Sequence, residues 1–201
     1  MKRFPISSCL ALLLMAVSAS ADEPTNTSLV QILVTHQEND PFLPWQKMQP
    51  GGRAGYGVLV GESKVLTTES LVRNHKLVEL RRSKTGEKIP ASVLIADSEV
   101  NLALLKIGDG ARLDGVPPIP VADTLDRKAR VEILQFDEIS QVQRGDARLL
   151  HVAMSDLPKA PYQSLEFDLL TDLNVNGEGA AAIRNGALVG LIMKYNQAGR
   201  I

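Results

Sequence analysis

Cysteine is almost missing from this chain: Cys9 is the only one in 201 residues. It lies in an N-terminal stretch that reads as a leader, so the remainder is expected to hold no disulfide, no thiol nucleophile and no cysteine-bound metal. Histidine is nearly as scarce. His36, His75 and His151 are scattered and show no zinc-ligand spacing, so no metal is expected. Aromatic residues make up only 4%, too few for a stacking platform that would hold sugars or nucleic acid. A net charge of −1 offers no basic field to nucleic acid. Phosphate cradles and dinucleotide fingerprints are absent, because Gly51-Gly52 opens no helix, and no cofactor is expected. Beyond the leader no run is long and apolar enough to span a bilayer, which takes roughly 20 residues. The apolar run Ala187–Met193 suits a buried strand instead.

The leader itself is explicit. Lys2 and Arg3 form a positive start, Cys9–Val17 an apolar core, and Ala19-Ser20-Ala21 a small-residue cleavage site before Asp22. Residues 1–21 therefore read as a signal peptide cut after Ala21, which implies a periplasmic or secreted protein with no membrane attachment once the signal is gone. Ile6-Ser7-Ser8-Cys9 precedes the apolar core rather than following it, so a lipid anchor is not expected. The remaining chain is long enough to bury a core without covalent staples.

What remains is a succession of short strands and turns. Strands are expected at Leu29–Val34, Tyr56–Val60, Lys64–Thr68, Leu77–Arg82, Lys88–Ala96 and Asn101–Ile107. Gly61-Glu62-Ser63 and Ser83–Glu87 supply hairpin turns, and Asn39–Gly52 reads as a loop rich in Pro and Gly. In the second half, strands are expected at Arg130–Phe136, Ala147–Met154, Ser164–Leu170, Ala180–Arg184 and Ala187–Lys194. Asn185-Gly186 carries the last hairpin. Helical periodicity is nearly absent, and Asp123–Lys128 could form one turn at most. Pro117, Pro118 and Pro120 keep the intervening segment out of any central strand. The expectation is all-β: a first β-barrel over 28–115, a linker over 116–123 and a second over 124–201, the second incomplete at its C-terminal end.

Several stretches carry a family resemblance. Gly55-Tyr56-Gly57, Leu66–Val72 (LTTESLV), Thr85-Gly86 and Asp97–Ile107 (DSEVNLALLKI) resemble the first barrel of the bacterial HtrA-type, trypsin-like serine proteases. Asn174–Ile192 is similar to the segment that carries that family's G-x-S-G-G-P strand, though the likeness is looser between Arg130 and Tyr162. The resemblance implies two antiparallel barrels with a cleft between them. It also implies a serine nucleophile, a histidine base, a carboxylate orienting the histidine, and backbone N–H groups for the oxyanion.

Residue by residue, those roles fall on unsuitable groups. The histidine position falls on Ser70 and the aspartate position on Asn101. The serine position falls on Glu178, or on Gly179 if the register shifts by one, within an oxyanion region of Asn176, Gly177 and Gly179. The expectation is an inactive homologue that binds a polypeptide or envelope partner in the cleft and could form oligomers. Two alternatives stay open: an active endopeptidase with a rebuilt site, and a structural or assembly subunit. His75 reads as a solvated loop residue, with a swing toward the cleft as the alternative; His151 reads as structural and His36 as superficial. Asp168, Asp172 and Glu178 could share a cleft wall. Trp45, between Pro41 and Pro50, is expected to pack on a barrel end, with an exposed anchor as the alternative.

Overall fold

The computed structural model describes residues 28–82, 86–113, 115–124, 130–156 and 163–193. The signal reading, most of the 83–87 turn, the helical turn over 123–128 and the end of the last strand at Lys194 fall wholly or partly outside the described residues.

The first half closes into a six-stranded antiparallel barrel. Its strands are β1 (Leu29–His36), β2 (Gly51–Gly61), β3 (Lys64–Thr68), β4 (His75–Arg81), β5 (Ile89–Asp97) and β6 (Leu102–Ile107). Their order round the barrel is β1-β2-β3-β6-β5-β4, with β4 returning to β1. Closure leaves no free sheet edge. The sequence dictates the inside by simple alternation: Ala103, Leu105 and Ile107 of β6 point inward, as do Val30, Ile32 and Val34 of β1.

β2 breaks this alternation, and for a physical reason. Its stretch Gly55–Leu59 is buried on both faces. Leu59 joins the first-barrel core, whereas Tyr56 and Val58 join a second core with Val131, Ile133, Phe136 and Ala181. Gly57 is glycine because a Cβ there would lie 2.6 Å from Ile32 Cδ1 and 2.7 Å from Val65 Cγ1. A continuous buried run is what a strand shared between two cores requires.

The second half is a five-stranded antiparallel sheet, ordered β11-β10-β7-β8-β9. Its strands are β7 (Arg130–Phe136), β8 (Val142–Asp156), β9 (Gln163–Thr171), β10 (Ala181–Arg184) and β11 (Ala187–Leu191). Asn185 and Gly186 take φ of 50° and 75° between β10 and β11, as a two-residue hairpin turn demands. Among the described residues β9 and β11 each have one neighbouring strand. The architecture is all-β, with one closed barrel and one half-barrel.

The proline-containing connection is bonded to both halves. Val116 packs in the first core and Ile119 in the second. The Ile119 N–H donates to Leu59 O at 2.9 Å, while Leu188 N–H and Pro120 O meet at 2.8 Å. Three sequence expectations need correction. A one-turn helix, α1 (Glu69–Val72), stands where no helix was expected; four residues are too few to show a period. β2 starts at Gly51, inside the expected loop, and β8 runs fifteen residues rather than eight. Outward-facing Arg144 and Asp146 concealed its first part.

Leu105 is fully buried in the closed barrel. Leu105→Ala is expected to lower stability by about 2–5 kcal/mol, read as a lower urea midpoint at unchanged m-value.

Candidate functional site

The residues singled out by sequence meet around α1. This helix is held at both ends by side chains from elsewhere. At its N-terminus, Glu69 N–H donates to Asn101 O at 3.1 Å and Ser70 N–H to Asn101 Oδ1 at 2.8 Å. At its C-terminus, Arg53 Nη1 donates to Ser70 O and Arg73 O at 3.2 and 3.3 Å. So short a helix cannot satisfy its own end groups, and these contacts fix where Ser70 points. Asn101 is buried, with a left-handed φ of 52°, a conformation asparagine tolerates better than most residues. Its amide Nδ2 is buried without a partner.

Ser70 Oγ donates to the Glu178 carboxylate, joining the first half of the chain to the second. Glu178 is set by backbone: Tyr56 N–H donates to Glu178 O at 2.8 Å. The next residue, Gly179, has φ of 86° and N–H bonded to Ile192 O at 2.8 Å. A Cβ at Gly179 would lie 2.1 Å from Tyr56 O, so this position admits no side chain. Glu69, next to Ser70, is buried against Arg73, whose Nε lies 2.9 and 3.0 Å from the two carboxylate oxygens. The hydrogen bond to Glu69 holds the Arg73 guanidinium above its ordinary value; burial opposes this, and the charges of Glu69 and Glu178 add to it.

The neighbouring backbone is committed too. Asn176 N–H donates to Gln135 Oε1 at 3.0 Å. Gln135 is fully buried, and its Nε2 donates to Asn174 O and Gln143 Oε1, both at 2.8 Å. The Asn176 amide closes the arrangement: Tyr56 Oη donates to Asn176 Oδ1 at 2.8 Å, and Asn176 Nδ2 donates to Phe136 O at 3.0 Å. Gly177 lies against the Tyr56 ring, where a Cβ would approach Cε2 to 2.6 Å. Gln135 and Tyr56 therefore anchor the loop, and neither was singled out as an anchor by sequence. A lone glutamine within the apolar run of β7 is the signal that could have found the first.

The histidines lie elsewhere. His75 opens β4, exposed, its Nδ1 2.9 Å from Val72 O, which requires the proton on that nitrogen. His151 is an exposed cross-strand partner of Asp168, with Nε2 2.9 Å from Oδ2, rather than a packed structural group. His36 ends β1 half-buried, its ring against Gly51. No histidine hydrogen-bonds a serine hydroxyl among the described residues. Asp168 pairs with His151, Asp172 is exposed, and Glu178 is bonded to Ser70. Among the described residues no three His, Cys, Asp or Glu side chains converge as metal ligands do. Trp45 does not pack on a barrel end; it is 77% exposed.

Two outcomes follow from this geometry. Gly179→Ala combines left-handed strain with a backbone clash and is expected to cost about 3 kcal/mol or more, measured by urea unfolding. Burial, with a smaller contribution from Asp137, raises the Tyr56 phenol above its ordinary value of 10.0. A raised phenol favours the neutral form in the fold, so its contribution is complete below pH 10 and declines as pH rises through the folded value. The stability difference between wild type and Tyr56→Phe is expected to hold to about pH 10 and shrink above it, followed by urea unfolding across pH.

No family model matches the chain. By sequence it is 26% identical over 107 residues to the mitochondrial protease Do-like 3 of Arabidopsis thaliana, a match covering 53% of this chain and 19% of the relative. The chain thus spans less than a third of the length of that relative. By structure it superposes on the active form of the Rv3671c protease from M. tuberculosis with a TM-score of 0.65 and 19% identity, covering 88% of this chain and 74% of that one. The HtrA-type protease AlgW, solved with a decapeptide, gives 0.59 and 17%, covering 87% and 58%. The chain is a homologue of the Do-like, HtrA-type proteases and has their trypsin-like two-barrel fold.

Proposed function

We propose that this chain is an exported, catalytically inactive homologue of the trypsin-like proteases that binds a polypeptide or envelope protein between its two halves. One observation carries the reading. Ser70 Oγ is bonded to the Glu178 carboxylate, an intrinsically weaker base than imidazole, and Asn101 spends its Oδ1 on the Ser70 N–H, so no histidine base stands beside this serine. Ser70 would stand at the histidine position, Asn101 at the aspartate position and Glu178 at the serine position.

The chemistry argues the rest. A serine without an adjacent imidazole is a weak nucleophile. In well-studied triads, asparagine for the aspartate costs about 10⁴ in rate and loss of serine or histidine about 10⁶, non-additively. Oxyanion stabilisation uses the N–H of the nucleophile and of the residue two before it. With Glu178 at the nucleophile position the second donor would be Asn176 N–H, already bonded to Gln135. A carboxylate at residue 178 would also repel a developing oxyanion.

Peptide binding needs none of these groups. An extended segment can add to a sheet edge through its backbone, and β9 has one strand neighbour among the described residues. The assembly-subunit reading has its own support, since Glu178 and Asn176 already fill their surroundings with contacts inside the chain. Residues 1–21 supply the export signal, with cleavage leaving Asp22 as the first residue.

The test treats protein from the envelope or medium with a fluorophosphonate probe and reads intact mass beside trypsin. The expected mass begins at Asp22 and shows no adduct while trypsin labels fully. A stoichiometric adduct on one serine would overturn the inactive reading. Fluorescence anisotropy with labelled unfolded casein separates the rest: binding supports the peptide reading, and no binding favours the assembly subunit.

A further inference from the structure

The β1–β2 connection contradicts the packing that its apolar residues would ordinarily seek. Phe42 is 90% exposed, Trp45 77% and Met48 50%. A soluble surface tolerates scattered apolar side chains, but three within seven residues on one loop form a patch. The loop is also built to hold them out. Asp40 Oδ1 accepts from Phe42 N–H and Leu43 N–H at 2.8 and 3.2 Å, and Asp40 N–H donates to Gln46 O at 2.9 Å. Gln46 N–H donates to Leu43 O at 2.7 Å, and Asn39 and Lys47 form an antiparallel bridge beneath the tip. Gln37 Nε2 and Glu38 O then tie down Met48. Six hydrogen bonds tie the loop, so the exposed side chains project from a fixed backbone.

Charge around the tip is mainly positive. Lys47, one residue past the tip, lies within hydrogen-bonding reach of Lys76 on β4, and that contact holds Lys76 below its ordinary value. Elsewhere Lys88 and Lys106 pair with Glu79 and Asp109. No ion pair of Lys47 or Lys76 with a carboxylate is found among the described residues. Of the nearby carboxylates, Glu38 is paired with Arg53 at 2.8 Å, while Asp40 accepts from neutral loop N–H groups and keeps its charge, so the two lysines outnumber the one unpaired acid. His75 adds an exposed imidazole beside Lys76.

We propose that the 39–50 loop, with Phe42 and Trp45 at its tip, Met48 below them and Lys47 and Lys76 at its base, docks this protein peripherally on an anionic lipid surface. Tryptophan and phenylalanine suit the bilayer interface, where one side of the group is apolar and the other wet. Lysines beneath the tip extend toward anionic headgroups while their stems stay with the apolar layer. A protruding tip enters a headgroup layer without needing a complementary groove. A twofold contact between two copies through this surface would bring four lysines together, which disfavours self-association. This docking is peripheral; no helix among the described residues is long and apolar enough to cross a membrane.

Trp45 is the only tryptophan, so its emission reports the tip alone. The experiment mixes the chain beginning at Asp22, which contains every described residue, with phosphatidylcholine vesicles and with vesicles containing phosphatidylglycerol. Sedimentation and Trp45 emission are read together. The expected result is co-sedimentation and a blue shift with the anionic vesicles only. Lys47→Gln with Lys76→Gln is expected to weaken partition about thirtyfold, and Phe42→Ser to weaken it while retaining wild-type circular dichroism. Absence of a blue shift on anionic vesicles, or binding unchanged in the double lysine variant, would overturn the proposal. So would a blue shift that grows with protein concentration in the absence of lipid, which would place the tip in a contact between chains.

Discussion

The contact between Tyr56 and the turn at 178–179 governs the arrangement of everything near it. Tyr56 N–H holds Glu178 O, Thr67 Oγ1 donates to Tyr56 O at 2.8 Å, and Gly179 passes so close to that carbonyl that no Cβ fits. One residue of β2 thus sets the distance between the two halves with both of its backbone groups. Its phenol then reaches Asn176 on the same turn. Because backbone groups do this, the spacing of the two halves at this point does not depend on the side-chain chemistry of residue 178.

The second layer of support comes from single polar side chains used as braces. Asn101 closes the N-terminus of α1, Arg53 closes its other end, and Gln135 gathers Asn174, Asn176 and Gln143 from inside the second core. Buried polar groups of this kind are stabilising only when their bonds are made. Gln135 uses both ends of its amide. Asn101 leaves one amide nitrogen unpaired, as Thr68 leaves its hydroxyl. These two orphans flank the segment that contains Ser70, so the least satisfied part of the first barrel borders its cleft.

How much of this was legible beforehand depends on the length scale of each signal. β3 and β7 begin and end at the residues expected, because alternation and bounding turns act within a few positions. The Asn185-Gly186 turn was legible for the same reason. α1 was not, since four residues carry no period and its caps come from positions 53 and 101, far away in sequence. Exposure of Trp45 was hidden because its support is local hydrogen bonding at Asp40, which a proline-flanked apolar loop does not advertise. Ser70, Asn101 and Glu178 could be named from motif spacing, but the contact between Ser70 and Glu178 spans 108 positions and exists only through the fold.

The two-sided burial of β2 also sets an order of vulnerability while the polypeptide is being made. The first barrel can close as soon as Ile107 has emerged, yet Tyr56 and Val58 on its outer face must wait for Val131 and Ile133. At ribosomal speed the roughly 26 residues from Ile107 to Ile133 take about 1–5 seconds. For that interval the nascent chain carries a finished barrel with one adhesive side. A holdase would have its strongest reason to engage the polypeptide in that window.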